Sequence, residues 1–440
     1  MAVGSAGMSE QEFAVPSGAR RPTIAAGLVI ALYALSAPFL AAVARNGGWA
    51  EADANNYHVV VINHFLNGGL DLPFAASAHL TTFPGYDACI AIVAEALRME
   101  RVHATGVMEV ACQTVFGAIF IGSFLTALVL NTKTKSVLAP LTLAGVSSSY
   151  ILFSWIWLTT DIAAIAFMTA IVALSSAPRS WLVVALQVLL LVVAIAMRQN
   201  MVALGVVPAA QMVITKLTGR DKTIRGVDGF AALAFGVTAT TAVAVMFRIW
   251  GGVVPPLSGD YVSGGINAAA LVHVLALTGL VAWPFLLPFT RALEARGLIV
   301  VSLALSAAFA VALACTANLA IGQDPHLRGS IVWTIGARLK NGILIDLFLT
   351  GSMFVGAQVL VSAAIVSITK GIGRFEILAL GAYLGAQVPG NFPFQRYVEP
   401  YDLVILSIFA ARLPLVRCER ASIGLFYGLY LCVSVAKLFV

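Results

Sequence analysis

Glu51 and Asp53 stand a few residues beyond the first apolar run, in a polar stretch from Trp49 to Tyr86 that also holds His58, His64 and Thr81-Thr82-Phe83-Pro84-Gly85. A carboxylate in such a place can take the proton of a hydroxyl as a new bond forms to its oxygen, once it comes within hydrogen-bond reach. The same two acids read equally as a solvated pair that keeps a loop in water, because Glu-x-Asp is a weak pattern. Asp161 follows Trp155-Ile156-Trp157-Leu158-Thr159-Thr160 at the edge of another apolar run. There it either caps a helix, favoured by the helix dipole, or holds a metal or a hydroxyl beside Asp53.

The cationic candidates are sharper. Arg198-Gln199-Asn200 interrupts two long apolar runs with almost no loop to house it. Charge in such surroundings usually marks function, unless the side chain merely snorkels to the boundary. An arginine fork grips a phosphate bidentately. Asp324, His326 and Arg328 precede Trp333 and Arg338-Leu339-Lys340, where the paired arginine and lysine serve either as a phosphate grip or as ordinary anchoring at the membrane edge. Arg396, in Gln395-Arg396-Tyr397 just ahead of Glu399-Pro400, sets a third arginine at a helix start. His58, His64 and His79 lack zinc-like spacing and are assigned to hydrogen bonding in the loop. No metal site is expected from spacing, and a divalent cation held by the acids is the one cofactor left open. Cys89, Cys112, Cys315, Cys418 and Cys432 have no CxxC pattern and read as small buried hydrophobes.

Composition says what must position these residues. Hydrophobic residues make up 60% of the 440-residue chain and charged residues 10%, with a mean hydropathy of +0.94, whereas soluble domains carry about a quarter charged residues. The chain is therefore a polytopic membrane protein. Its spans must satisfy their own backbone hydrogen bonds, so they are helices or a closed barrel. Unbroken apolar runs such as Phe116–Leu130 and Trp181–Met197 lack the alternation of a barrel. The fold class is all-α.

Segments long enough to span run near 23–43, 106–130, 137–154, 159–176, 180–197, 200–217, 228–249, 268–289, 298–317, 343–369, 375–388, 400–416 and 421–438, which makes about thirteen spans. Residues 1–20 are expected to be a disordered cytoplasmic N-terminus, and 21–440 a single domain whose first outer loop, 44–105, carries the chemistry. With the N-terminus cytoplasmic, most Lys and Arg residues fall on the inner side, as the positive-inside rule asks. Most acids then fall outside. The helix after Pro84 must lie along the outer surface, since about fourteen residues are too few for a span. The net charge of +6 follows from this asymmetry, and no nucleic-acid partner is implied.

Taken in order, these pieces resemble the integral-membrane glycosyltransferases of the GT-C fold that use polyprenyl-phosphate sugars. Within them the chain is most similar to the dolichyl-phosphoglucose-dependent alpha-1,2-glucosyltransferases. The likeness rests on acids then Tyr57-His58 then Thr81-Thr82-Phe83-Pro84-Gly85, on Thr159-Thr160-Asp161, on Arg198-Gln199-Asn200, on Gly259-Asp260 before Asn267 and His273, on Asp324, His326, Trp333 and Arg338, and on Gln395-Arg396-Tyr397 with Pro400. Asp53 precedes His58 by five residues here, with Asn55-Asn56 between, where the family has an adjacent Asp-Glu pair.

The resemblance implies a hexose, glucose in that family, carried on a polyprenyl phosphate. It also implies a lipid-linked or cell-envelope glycan acceptor on the non-cytoplasmic face and inversion at the sugar. Asp53, or Glu51, would be the base. His58, Asp161, Arg198, Gln199, Asp324, His326, Arg338 and Arg396 would bind substrate. The membrane is the plasma membrane for a prokaryotic chain and the endoplasmic reticulum for a eukaryotic one. The rivals are a transporter or lipid flippase, which would carry charges near mid-span, and an oligosaccharide polymerase or ligase, expected to carry its large loop late in the chain.

Overall fold

The computed structural model describes residues 20–44, 48–68, 82–96, 107–132, 134–157, 159–219, 226–255, 267–316, 330–339, 341–389 and 395–439. Among them the chain is all-helical, with no strand. A helix underlies each segment expected to span, as it must where apolar side chains leave the backbone no water to bond to.

Among the described residues six helices are long and apolar enough to cross a membrane: Cys112–Asn131, Gln199–Leu217, Gly226–Trp250, Ala268–Ala292, Arg296–Thr316 and Gly342–Lys370. The remaining expected segments differ in length or continuity. Thr160–Ser175 and Trp181–Met197 are apolar but shorter. Arg374–Gly385 and Glu399–Ala410 have 12 residues each, or roughly 18 Å of helix against a hydrocarbon core of about 30 Å. The segment expected at 137–154 is broken, because Lys135–Val146 and Ser149–Ile156 meet at 66°. Three consecutive serines sit at that break. Ser147 returns its hydroxyl to Ala144 O at 3.1 Å, and Ser148 accepts from Tyr150 N at 3.1 Å. These side chains offer the backbone local partners in place of the helical ladder.

The hub of the bundle is Glu399–Ala410, every residue of which is buried. It packs against Leu138–Val146, Val107–Asn131, Thr160–Ser175, Ala268–Ala282 and Arg374–Gly385. Aromatic rings fill the space beside it: Phe289 meets Phe409 edge-on at 5.3 Å, and Phe285 lies 5.8 Å from Tyr427. A second contact joins Ala268–Ala282 to Gly342–Lys370. There Gly279 and Gly356 face each other so closely that a Cβ on Gly356 would sit 2.8 Å from Gly279 N. Small residues let two backbones approach in this way, and where apolar burial cannot drive association the contact itself holds the helices together.

The bundle has two polar ends. At one, arginines and lysines pair with acids: Arg291 with Glu419 at 2.8 Å, Arg412 Nε with Glu376 at 3.0 Å, Lys370 with Glu294 at 2.5 Å and Arg179 with Asp228 at 3.6 Å. Arg374 donates to Thr215 at 2.7 Å. Ser176, just past Thr160–Ser175, accepts from Arg412 at this basic end. Asp161 lies in the first turn of that helix, so it is about 22 Å away, at the other end.

Replacing Gly356 by Val should lower the melting temperature of the detergent-solubilised protein, by an overpacking loss of roughly 1–3 kcal/mol. Gly381 is also helical, but a Cβ there meets nothing within 4 Å. Gly381→Ala should therefore be neutral or stabilise by about 0.5–1 kcal/mol. Equal effects of the two substitutions in thermal melts would contradict the close approach.

Candidate functional site

The end opposite the basic cluster gathers several of the residues singled out by type and spacing. Asp53 closes the short helix Gly48–Asp53, and the chain continues through a π-helical turn, Ala54–His58, into Val59–Leu66. A π turn carries one extra residue and is a frequent companion of functional sites. It rotates the following face by roughly 100° relative to the preceding one. Asp53 forms an ion pair with Arg396, while His58, five residues on, turns into the protein and pairs through Nδ1 with Asp87 at 2.8 Å.

Arg396 lies in the turn Gln395–Tyr397, immediately before the hub helix. Its guanidinium donates to the Tyr397 hydroxyl at 2.8 Å and stands 4.9 Å from the centre of that ring. Burial draws the guanidinium's proton affinity down, but Tyr397 and Asp53 more than restore it, so its pKa lies above the ordinary arginine value. Gln395 braces the turn from both sides. Its carbonyl oxygen accepts from Ile331 N at 2.7 Å, and its amide donates to Glu399.

Arg198 reaches the same tyrosine. Trp181–Met197 stops at Arg198, whose backbone is extended, and the chain restarts as the 3-10 stretch Gln199–Val206. The interruption throws the Arg198 side chain across the bundle, where it pairs with Asp161 and lies 4.2 Å over the Tyr397 ring. Two arginines thus flank one aromatic ring, each held by a carboxylate, in the order Asp53, Arg396, Tyr397, Arg198, Asp161. The outer pair is partly open, with Asp53 and Arg396 side chains 26% and 17% exposed, whereas Asp161 and Arg198 are 10% and 5% exposed. The group therefore offers a carboxylate at its rim and two guanidinium forks leading inward, the donors that a phosphate or diphosphate takes. Tyr397 joins the two arginines, a role that its place beside Arg396 hinted at and that residue type alone did not assign.

Other expected site residues fall elsewhere. Glu51 is exposed and has no partner among the described residues. Gln199 turns its side-chain oxygen to Phe83 N at 3.2 Å, which docks the Thr82-Phe83-Pro84-Gly85 turn onto the 198–200 interruption. Gly85 has no side chain to spare there, because a Cβ would lie 2.5 Å from Ala196 O. His58 is 6% exposed and closed in by Asp87 and by Tyr86, whose ring meets it edge-on at 5.7 Å. Burial pushes the Asp87 carboxyl up and His58 draws it back only in part. Arg338 is exposed at the end of Ile331–Leu339 and pairs with none of the group among the described residues. Asp324 and His326 lie outside the described residues. Among those residues no three His, Cys, Asp or Glu gather where they could hold a metal ion.

The inner pair is testable by stability. Arg198→Met and Asp161→Leu should each cost about 3–5 kcal/mol, since either change strands a buried charge, while the double variant should recover most of that loss. Denaturant melts of the three variants check this, and additive losses would show that the two charges are not coupled. Searches of the chain against protein-family models and against solved structures find no match to either.

Proposed function

We propose that the chain is an integral-membrane glycosyltransferase. In this reading it moves a hexose, glucose by the family resemblance, from a polyprenyl phosphate to a lipid-linked or cell-envelope glycan on the non-cytoplasmic face. The observation that carries the reading is the Asp53–Arg396–Tyr397–Arg198–Asp161 series: a half-open carboxylate joined to two arginines, at the polar end away from the basic cluster. By the positive-inside rule the basic end is cytoplasmic, so the Asp53 end faces out. The helices too short to cross alone complete a bundle of about thirteen passes. Gly85–Ala96, with its 12 residues, lies along the outer surface.

The arrangement supplies the parts of a single displacement. The donor's phosphate enters between the guanidinium groups and takes the place of Asp53 on Arg396. The exchange swaps one anion for another, so no net charge is buried by it. Asp53, released at the rim, takes the proton of the acceptor hydroxyl as its oxygen attacks the sugar carbon from the face opposite the lipid phosphate. The bond to the phosphate breaks with inversion, and Arg396 and Arg198 stabilise the departing charge from positions already set before reaction. Asp161 holds Arg198 in line.

A second reading, a proton-coupled transporter, draws support from the hub helix. Glu399 and Asp402 are fully buried on it, Asp402 accepts from Thr278 at 2.6 Å, and His273 is buried on the neighbouring helix. Acids inside a membrane bundle often relay protons.

Purified protein given labelled polyprenyl-phosphate-glucose and a panel of glycan and lipid acceptors should release lipid phosphate. Asp53→Asn keeps a partner for Arg396 and should reduce turnover by about 10²–10⁴-fold, with expression and melting temperature unchanged. Turnover near the wild-type rate in that variant removes Asp53 as base. Absence of turnover together with gradient-driven movement of the labelled lipid across liposomes selects the transporter.

A further inference from the structure

The basic end holds a groove of about 470 Å³ lined by Ser136, Ala139, Pro140, Leu143, Arg417, Arg420, Ala421 and Gly424. Both of its walls are helical faces. Positions 417, 420, 421 and 424 form one stripe, and 136, 139, 140 and 143 form another with the same spacing, each running from polar residues at the mouth to apolar ones within. Arg420 is set by a hydrogen bond to Ser136 across the mouth. Arg417 sits beside it at the first position of Arg417–Ala436.

Among the described residues these two arginines stand side by side with no acid of their own, whereas Arg179, Arg291, Lys370 and Arg412 at this end each pair with a carboxylate and Arg374 is taken up by the Thr215 and Thr218 hydroxyls. Glu419, the acid lying between them in sequence, is committed elsewhere. Its side chain accepts from Arg291 at 2.8 Å and from Val416 N at 2.8 Å, and is fully buried on the far side of the helix. Neither Arg417 nor Arg420 meets a carboxylate among the described residues. Deeper in, Gly424 leaves the floor open, since a Cβ there would meet only Pro140, at 3.6 Å. Beyond it Leu425 and Leu429 are 68% and 61% exposed, as on a helix that faces hydrocarbon.

We propose that this groove binds an anionic phospholipid. The headgroup phosphate sits between the Arg417 and Arg420 guanidinium groups, where bidentate bonds are available to it. The start of an acyl chain lies over Pro140, Ala421 and Gly424. Charge and depth together select the occupant: the mouth has two unneutralised cations, and the interior has no polar group that a soluble anion would need. The site is separate from the Asp53 series and stands whether or not the chain transfers sugar.

The test is native mass spectrometry of the full chain in detergent, titrated with phosphatidylglycerol or phosphatidylcholine. Wild-type protein should bind phosphatidylglycerol roughly thirtyfold more tightly, given about 1 kcal/mol for each of the two arginines near the anionic headgroup. The Arg417→Gln/Arg420→Gln variant should lose that preference while melting normally in phosphatidylcholine. Gly424→Leu, which fills the groove and leaves both charges in place, should weaken binding as well. A wild-type protein with no preference for the anionic lipid overturns the proposal, and that result needs no variant to fold. Displacement of the bound lipid by millimolar inorganic phosphate also overturns it, by showing a site for free anions.

Discussion

A charge in an apolar interior must find a counter-charge or be avoided, and the described residues show how that constraint organises both ends of the bundle. A lone buried ion costs several kcal/mol even after the protein relaxes around it. Arg198, in the break after Trp181–Met197, and Asp161, in the first turn of Thr160–Ser175, are both buried, and each makes the other tolerable. Their pairing fixes where the interrupted helix at 198 meets the start of Thr160–Ser175. At the basic end Arg412 with Glu376, and Arg291 with Glu419, do the same for the hub helix and its neighbours. Apolar packing fills the space between the ends but is indifferent to small sliding of one helix on another. The ion pairs, together with the Gly279–Gly356 approach, are what set the register.

The helical character of the chain was legible because composition restricts spans to helices or a closed barrel, and unbroken apolar runs such as Phe116–Leu130 lack the alternation that a barrel needs. Span count was less so. Hydropathy averages over a window and does not register three serines that bend a helix by 66°, nor that a twelve-residue hub can be wholly enclosed by protein. The polar interruptions were legible as places of interest for the same reason that they are rare. Arg198, Asp161, Asp53 and Arg396 come together as one group. Their partners were not legible. Asp53 and Arg396 are 343 residues apart, and Gln199 and Phe83 are 116 apart, distances over which spacing carries no information. Gln199 and His58 show the consequence. Both were singled out for substrate, and the structure gives Gln199 a backbone amide and His58 a buried carboxylate as partner.

Irregular backbone marks the same end. The π turn at 54–58, the extended Arg198 with its 3-10 continuation, and the turn at 395–397 all lie within the group or adjoin it. Regular helices present side chains at fixed steps of about 100°, which suits packing but cannot bring two arginines and two acids from four segments around one tyrosine. Each irregularity changes the phase of a helix where a charged side chain has to be redirected. Backbone of this kind is tolerated at membrane depth only where protein or water satisfies it. The residues at these breaks also tie neighbouring segments together: Gln199 takes the Phe83 N–H, Gln395 takes the Ile331 N–H, and Asn200 donates its side-chain amide to Gln387.

The gradient of exposure within the group matters for what it can do. Arg198 and Asp161 are sealed and hold each other, so they form a fixed positive-and-negative floor. Asp53 and Arg396 lie nearer the rim, where solvent weakens their attraction and an exchange of partners is cheap. A carboxylate locked by a buried arginine would be a poor base, and an open arginine with no partner would bind any passing anion. Pairing the two at the rim gives a resting state that is neutral and a carboxylate that becomes free only when a competing anion occupies its arginine. In a transferase that condition links the appearance of the base to the presence of the lipid-phosphate donor, and it leaves the inner pair to hold the geometry while the outer pair changes partners.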